Sequence, residues 1–482
     1  MNNSNLLAPP RRHWLCVAYA FPPINRSGTQ RTLGFVRLLD TLGWDADVLT
    51  VQGDAAEPTD ASLTNQVPSS TTVVRVPWIN LVDRLSRFVR KSSPGGKPSP
   101  NGQRRATVIR KVVYPTSASA KSEPRPGHSY TKSQGQGSGL RRPRLIDWLS
   151  QLLMTPDSRI GWIPAAVRGG LITIHKRRPD VIYSTSPYMS AHLIALILNR
   201  LTAIPWVADF RDPWRGNPFR SLGYRSLDLL DAWLERLVLR TATHIVFNTP
   251  TMHAQAAARL PCLTSKSTTI MNGFDADEFR DIRPIRLFPP EEFVLTHCGE
   301  FYGPRSPSPW LTAVALLCRR STVPRRIHLL LIGPDAYGGR RLARLADEIG
   351  LADCVTVLGR KSRRETLAHM AGSDALILAG SNGMGSQLQV PGKLFEYLAV
   401  RRPIIASLAP DNPAVTILRQ ARAEAYICPP DDPSALAGAI SQLAAHPRPK
   451  VADAWSSVGR FDRAYRAQEL LAVFNRIANT AQ

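Results

Sequence analysis
The chain has 482 residues, 43% of them hydrophobic and 20% charged. That composition excludes a disordered chain and leaves room for two or three domains with full cores. The 61 Lys and Arg against 37 Asp and Glu give a net charge of +24, so an anionic partner is expected: a phosphorylated small molecule, an acidic membrane surface or nucleic acid.

"WLCVAYA" (14–20) reads as a buried strand, "TQRTLGFVRLLDTLG" as a helix and "DADVLTV" as a second strand. The basic excess then concentrates: from Arg84 to Arg144 there are fifteen Lys or Arg and one acid, Glu123. Within residues 91–140, 22 of 50 are Pro, Gly or Ser, a composition that cannot bury a core and predicts a disordered basic insertion at about 91–143. Just before it, "INLVDRLSRFVRK" (79–91) alternates an apolar stripe with basic residues. It suits either a surface helix facing its own core or a segment lying on an anionic membrane. The insertion carries few aromatics, so nucleic acid is a poor fit.

"DVIYSTS" (180–186), "IPWVADF" (204–210) and "THIVFNT" (243–249) are short apolar strands, each followed by a helical run. This βαβα order predicts a parallel sheet with helices on both faces. After the Pro-rich "IMNGFDADEFRDIRPIRLFPPEEF" the pattern restarts at "FVLTHCG" (293–299). It continues through "RIHLLLIG", "CVTVLG", "DALILAG", "PIIAS" and "EAYICP". The expected organisation is a Rossmann-like domain over 1–280, a second over 281–460, and a C-terminal helix over 461–482 that crosses back to the first.

The six cysteines show no CxxC spacing and no neighbouring His cluster. They predict a reducing compartment and no zinc site, and no cofactor or metal is expected elsewhere in the chain. The apolar run near the start is short for a signal peptide. Runs such as "AHLIALIL" fall far below the ~20 residues of a span. A cytoplasmic protein is expected, touching the inner face of the cell membrane at most peripherally.

Ligands of parallel α/β sheets sit beyond the carboxyl ends of the strands, and four such loops carry candidate chemistry. In "FPPINRSGTQR", Gly28 precedes a helix whose first amides suit a phosphate, or it is an ordinary turn. In "ADFRDPWRGNPF", Asp209, Arg211 and Asp212 cluster at a strand end. They would serve as base, phosphate holder or sugar ligand, or as a structural ion pair. In "HCGEFYGPRSP", Gly299 and Gly303 flank Arg305 before a helix, a setting for a diphosphate. In "AGSNGMGSQLQVPGKLFEYL", Lys393 and Glu396 open a short helix. Glu396 would hold vicinal hydroxyls, or simply pair with Lys393 three residues away.

In order and spacing, "YAFPPINRSGTQRTLGFVRLLDTLGWDADVLT", "PDVIYSTSP", "NGFDADEF", "HCGEFYGPRSP", "LLLIGP", "VTVLGR" and "PGKLFEYLAVRRPIIAS" together resemble the retaining GT-B glycosyltransferases. The match is to the large bacterial family-four group, in a form similar to enzymes of lipid-linked polysaccharide biosynthesis. The resemblance implies two Rossmann-like domains facing a cleft. It also implies transfer from a nucleoside-diphosphate sugar to a saccharide or polyprenyl-linked acceptor, with retention and without a metal. Gly28, Arg305 and Lys393 would hold the diphosphate, and Glu396 with Gly299 the nucleoside. The Gly383, Met384, Gly385, Ser386 loop would face the donor sugar. The first-domain histidine usual in the family is not evident here, and Asp212 or Asp209, with Arg211 beside them, would take the catalytic place near the acceptor. One departure stands out. Many members carry a glutamate eight residues before the one matching Glu396; here that place is Leu388, between Gln387 and Gln389. A nucleotide-sugar epimerase or hydrolase of the same fold, and a catalytically inactive membrane or scaffold module, are the competing readings.

Overall fold
The computed structural model describes residues 11–53, 57–85, 144–217, 222–320, 323–380, 385–446 and 455–480. The basic insertion and residues 86–91 of the 79–91 segment lie outside them; within that segment, 81–85 form a single helical turn.

Seven strands build the first sheet: β1 (Arg12–Val17), β2 (Trp44–Val51), β3 (Thr72–Val76), β4 (Val181–Thr185), β5 (Trp206–Phe210), β6 (His244–Phe247) and β7 (Ser267–Thr269). Their order is β3-β2-β1-β4-β5-β6-β7, and every pairing is parallel. Six strands build the second: β8 (Phe293–Cys298), β9 (Ile327–Ile332), β10 (Val355–Gly359), β11 (Ala375–Ala379), β12 (Ile404–Ser407) and β13 (Ala425–Cys428). Their order is β10-β9-β8-β11-β12-β13, again all parallel. Strands such as VIYST and ALILA are buried along their whole length, because helices cover both faces of a parallel sheet and leave no solvated side for alternation. The edge strands β3 and β7 escape the sequence reading for the converse reason. TVVRV and STT are only partly buried and carry no continuous apolar run.

In each sheet the strand order reverses once, between β1 and β4 and between β8 and β11. A crevice opens beyond the carboxyl ends at such a reversal. The chain crosses between the two halves twice, and the crossings meet: Phe274 N–H donates to Phe461 O (3.1 Å) and Arg463 N–H to Phe274 O (2.7 Å). The last helix, Arg463–Thr480, inserts Leu470, Val473 and Phe474 into the core of the first sheet, with Phe474 5.3 Å from both Trp14 and Trp44. Among the described residues no helix is long and apolar enough to cross a membrane.

Candidate functional site
A cleft of about 1650 Å³ lies between the two halves, lined from both. Eleven Lys or Arg and six Asp or Glu line it among the described residues, so its field favours an anionic ligand.

On the first-domain side, the helix Ser27–Thr41 points its N-terminus at the cleft. Gly28 is needed there because a Cβ would stand 1.7 Å from Arg211 Nη1. The Arg211 guanidinium lies over this helix start, its Nη2 donating to Asp212 (3.1 Å), while its Nη1 is buried and meets no hydrogen-bond partner among the described residues. Backbone amides of Arg211 and Asp212 both donate to Ser186 Oγ (2.8 and 3.2 Å), which fixes the loop after β5. Asp212 stays partly open and lines the cleft.

Asp209 differs from the sequence expectation. It is wholly buried and does not face the cleft. Arg31 grips it with two parallel bonds (Nε 3.0 Å, Nη2 2.9 Å), and Tyr183 and Thr185 hydroxyls donate to it at 2.6 and 2.9 Å. Burial pushes this carboxyl up. The Arg31 charge and the donated hydrogen bonds more than offset that, so it sits below its ordinary value. Asp209 therefore supports the cleft floor through Arg31, which lines the cleft, and does not itself reach the cleft surface.

Further along the same wall, the Arg159 guanidinium stacks over Trp78 (4.5 Å), Tyr19 (5.0 Å) and Tyr188 (5.3 Å). Glu57 accepts from Arg159 (3.1 Å) and from Tyr188 OH (2.9 Å). Trp78, Tyr188 and Arg159 all line the cleft, giving an apolar face edged with hydrogen-bonding groups.

On the second-domain side, Lys393 is the first residue of the helix Lys393–Val400. Its Nζ lies over Gly299, where a Cβ would come within 1.7 Å of it, so Gly299 is the seat of the lysine. Burial of the ammonium, together with the nearby Arg305 charge, pulls its pKa down to about 8. Arg305 donates to Tyr302 OH (2.5 Å) and lines the cleft beside His297 and Glu300. His297 stacks on Phe301 (4.0 Å) and is held neutral, first by burial and then by Lys393.

Glu396 does not pair with Lys393. Its partner is Arg363 (Nη1 to Oε1, 2.8 Å), which also forks onto Glu278 (2.5 and 2.6 Å). This arginine, unremarked in the sequence, fixes the carboxylate at the cleft edge and ties it to the interdomain crossing. No local signal announces it, because its two partners lie 33 and 85 residues away.

The loop before this helix also departs from expectation. Gly383 and Met384 lie outside the described residues. Gly385 and Ser386 do not line the cleft; Gln389 to Lys393 do. Leu388 is buried and lines a small pocket together with Phe210, Trp214, Phe247 and Met252 of the first domain, and its carbonyl accepts from Thr249 Oγ1 (3.2 Å). The leucine is thus an apolar plug between domains. Leu388→Glu is expected to weaken that contact by on the order of 3 kcal/mol. An increased radius of gyration in small-angle scattering, with an earlier thermal transition, would show it; unchanged values would sink the assignment.

Two Rossmann-like halves around a cationic cleft make this a two-domain α/β protein of the GT-B glycosyltransferase fold. The chain belongs to the glycosyltransferases: the family described as glycosyl transferase 4-like domain matches residues 28–273, and that described as glycosyl transferases group 1 matches residues 292–446. Among solved structures it is similar to a sucrose-phosphate synthase from Thermosynechococcus elongatus (15% identity, 98% of this chain and 100% of that one, TM-score 0.59). It is also similar to a glycosyltransferase from Rickettsia africae ESF-5 (12%, 98% and 99%, TM-score 0.57), and to Anabaena HepE in complex with UDP-glucose (14%, 96% and 99%, TM-score 0.56). No curated protein matches the chain.

Proposed function
We propose that this glycosyltransferase moves a sugar from a nucleoside-diphosphate donor to a saccharide or polyprenyl-linked acceptor, with retention at the anomeric carbon. The observation that carries the reading is the convergence of Lys393, Arg305 and the Gly28 helix start on one cleft, with Glu396 held by Arg363 beside them.

Glu396 accepts from the two ribose hydroxyls, and Lys393 and Arg305 take the diphosphate. As the bond from the anomeric carbon to the phosphate oxygen breaks, its electron pair goes to the diphosphate, and those two cations with the helix-start amides stabilise the growing charge. The acceptor oxygen arrives from the first-domain side, between Asp212 and the Trp78–Tyr188 wall, and its proton passes to the departing phosphate oxygen. Protein cations supply the charge that a metal ion would otherwise bring. HepE is known with UDP-glucose bound, which makes a UDP-sugar the first donor to try. A lipid-linked acceptor would bring the protein to the inner membrane surface, where its net charge of +24 favours anionic lipid.

Titration calorimetry against UDP-, GDP- and ADP-sugars tests the donor half. Binding of one of them is expected, with Glu396→Gln weakening it about 10- to 100-fold, the range for hydrogen bonds to a charged group. Absence of nucleotide binding at millimolar donor would overturn the reading. The anomeric configuration of the product by NMR tests retention.

A further inference from the structure
We propose that the outer face of the helix Arg225–Thr241, with the helix ends packed against it, docks in the plane of an anionic lipid bilayer. This rests on the lipid-linked reading of the acceptor and adds the surface that would meet the lipid.

The four most exposed large apolar side chains among the described residues are Leu145 (66%), Leu229 (64%), Leu201 (62%) and Trp233 (57%). All four belong to one region. Leu229 and Trp233 stand one turn apart on the helix, so they share a face. Leu145 lies on the helix Arg144–Leu152, which is fastened to the start of the first. Trp148 Nε1 donates to Ser226 Oγ (3.1 Å), Tyr224 OH to Asp147 (3.0 Å) and Gly223 N–H to Gln151 (2.9 Å). Leu201 ends the helix Ser190–Thr202, which meets the far end through Arg200 and Thr241 Oγ1 (3.3 Å). The exposed apolar groups therefore follow a helix of 17 residues, about 25 Å long. Scattered surface leucines need no explanation, but a leucine and a tryptophan sharing one exposed helix face, with further exposed leucines on the helices tied to its two ends, mark an interaction surface.

Charge selects the partner. Arg225, Arg236 and Arg240 are exposed along the same helix, against Asp228, and Asp147 is engaged by Tyr224. Tryptophan and leucine rimmed by arginine is the composition of an element lying at a bilayer interface. The stretch 86–143 joins the fold where the helix Arg144–Leu152 begins, and its sequence carries thirteen Lys or Arg and one acid. That charge is attracted by anionic lipid and repelled by a second copy of the chain. The placement also suits the chemistry. The helix Arg144–Leu152 runs on into Met154, Ser158 and Arg159, which line the cleft. A bilayer against this face therefore lies beside the first-domain end of the cleft, within reach of an acceptor whose anchor stays in the membrane.

The test is co-sedimentation of the full chain with phosphatidylcholine vesicles with and without phosphatidylglycerol, comparing it with the double variant Leu229→Ser, Trp233→Ser. The expected result is salt-sensitive binding that needs phosphatidylglycerol and falls about tenfold or more in the variant, with its unfolding midpoint and nucleotide binding unchanged. Equal partitioning of variant and parent would overturn the proposal. So would a parent dimer that the variant converts to monomer while vesicle binding persists, which would make this a protein interface. If deleting 92–140 alone abolishes binding while the double variant partitions normally, the basic segment carries the contact and this face does not. Nucleotide titration reads the donor site independently of all these outcomes.

Discussion
Replacing Lys393 with alanine is expected to lower kcat for glycosyl transfer by about 10²–10³-fold, the usual effect of removing one preorganised donor from a developing negative charge. Three observations set that expectation. The ammonium stands at the first turn of a helix, where the amides already favour an anion. Gly299 leaves it a seat that any side chain would close. Burial has cost it hydration, so this cation gains when an anion arrives. The pH profile carries the same signature. With the free-protein pKa lowered to about 8, the lysine loses its proton as pH rises through that value. kcat/KM should therefore fall on the alkaline side with an apparent pKa near 8. A bound diphosphate favours the charged form, so the corresponding limb in kcat moves to higher pH. Lys393→Arg keeps a charge that does not titrate and should remove the limb even if it costs rate. If Lys393→Ala keeps the parent kcat and changes only KM, the lysine contributes uniform binding and not transition-state stabilisation.

The fold was readable because its signals are local. Short apolar strands alternate with helical runs, and a Pro-rich stretch separates two similar series. The same logic reached the site only where chemistry sits in loops at strand ends. Gly28, Arg211, Asp212, Arg305, Lys393 and Glu396 all border one cleft, and all were found by inspecting those loops. What escaped depends on partners remote in sequence. Arg363 and Arg31 sit inside helices with nothing to distinguish them from solvated arginines until Glu396, Glu278 and Asp209 fold against them. Asp209 was misplaced for a related reason. Alternation along a strand says that neighbours point to opposite faces, but which face meets the ligand is decided by the helix packed above. Leu388 was legible as a departure from the family pattern and not as a contact, since the apolar pocket that receives it comes from the other domain.

Arg31→Met is expected to destabilise the first domain by about 3–5 kcal/mol, the cost of leaving one member of a buried ion pair without its partner. At roughly 2–4 °C per kcal/mol for a domain of this size, the thermal midpoint should fall by roughly 6–20 °C. The arginine is 5% exposed and Asp209 wholly buried, so water cannot take over the lost contacts. The guanidinium also donates to Ile270 O (2.8 Å), Met271 O (3.0 Å) and Asn272 Oδ1 (3.2 Å), the segment by which the chain leaves the first domain. Its removal should therefore loosen that crossing and the cleft floor together, weakening donor binding even below the unfolding range. The acid limb has a definite sign. Because the Asp209 carboxyl sits below its ordinary value of 3.8 in the folded protein, its contribution to stability is present above that pH and is lost as pH falls through the folded value. In Arg31→Met the carboxyl keeps its burial and loses the opposing charge. Its pKa then rises, and the variant should lose stability with rising pH in the range where the parent is flat. Differential scanning calorimetry between pH 4 and 8, on the parent, Arg31→Met and the double variant Arg31→Met, Asp209→Leu, separates the terms. The double variant should recover part of the loss, since replacing both members of a buried pair by apolar groups is far less costly than removing one. A single variant that melts with the parent would show that Arg31 and Asp209 do not form the pair on which this cleft floor is built.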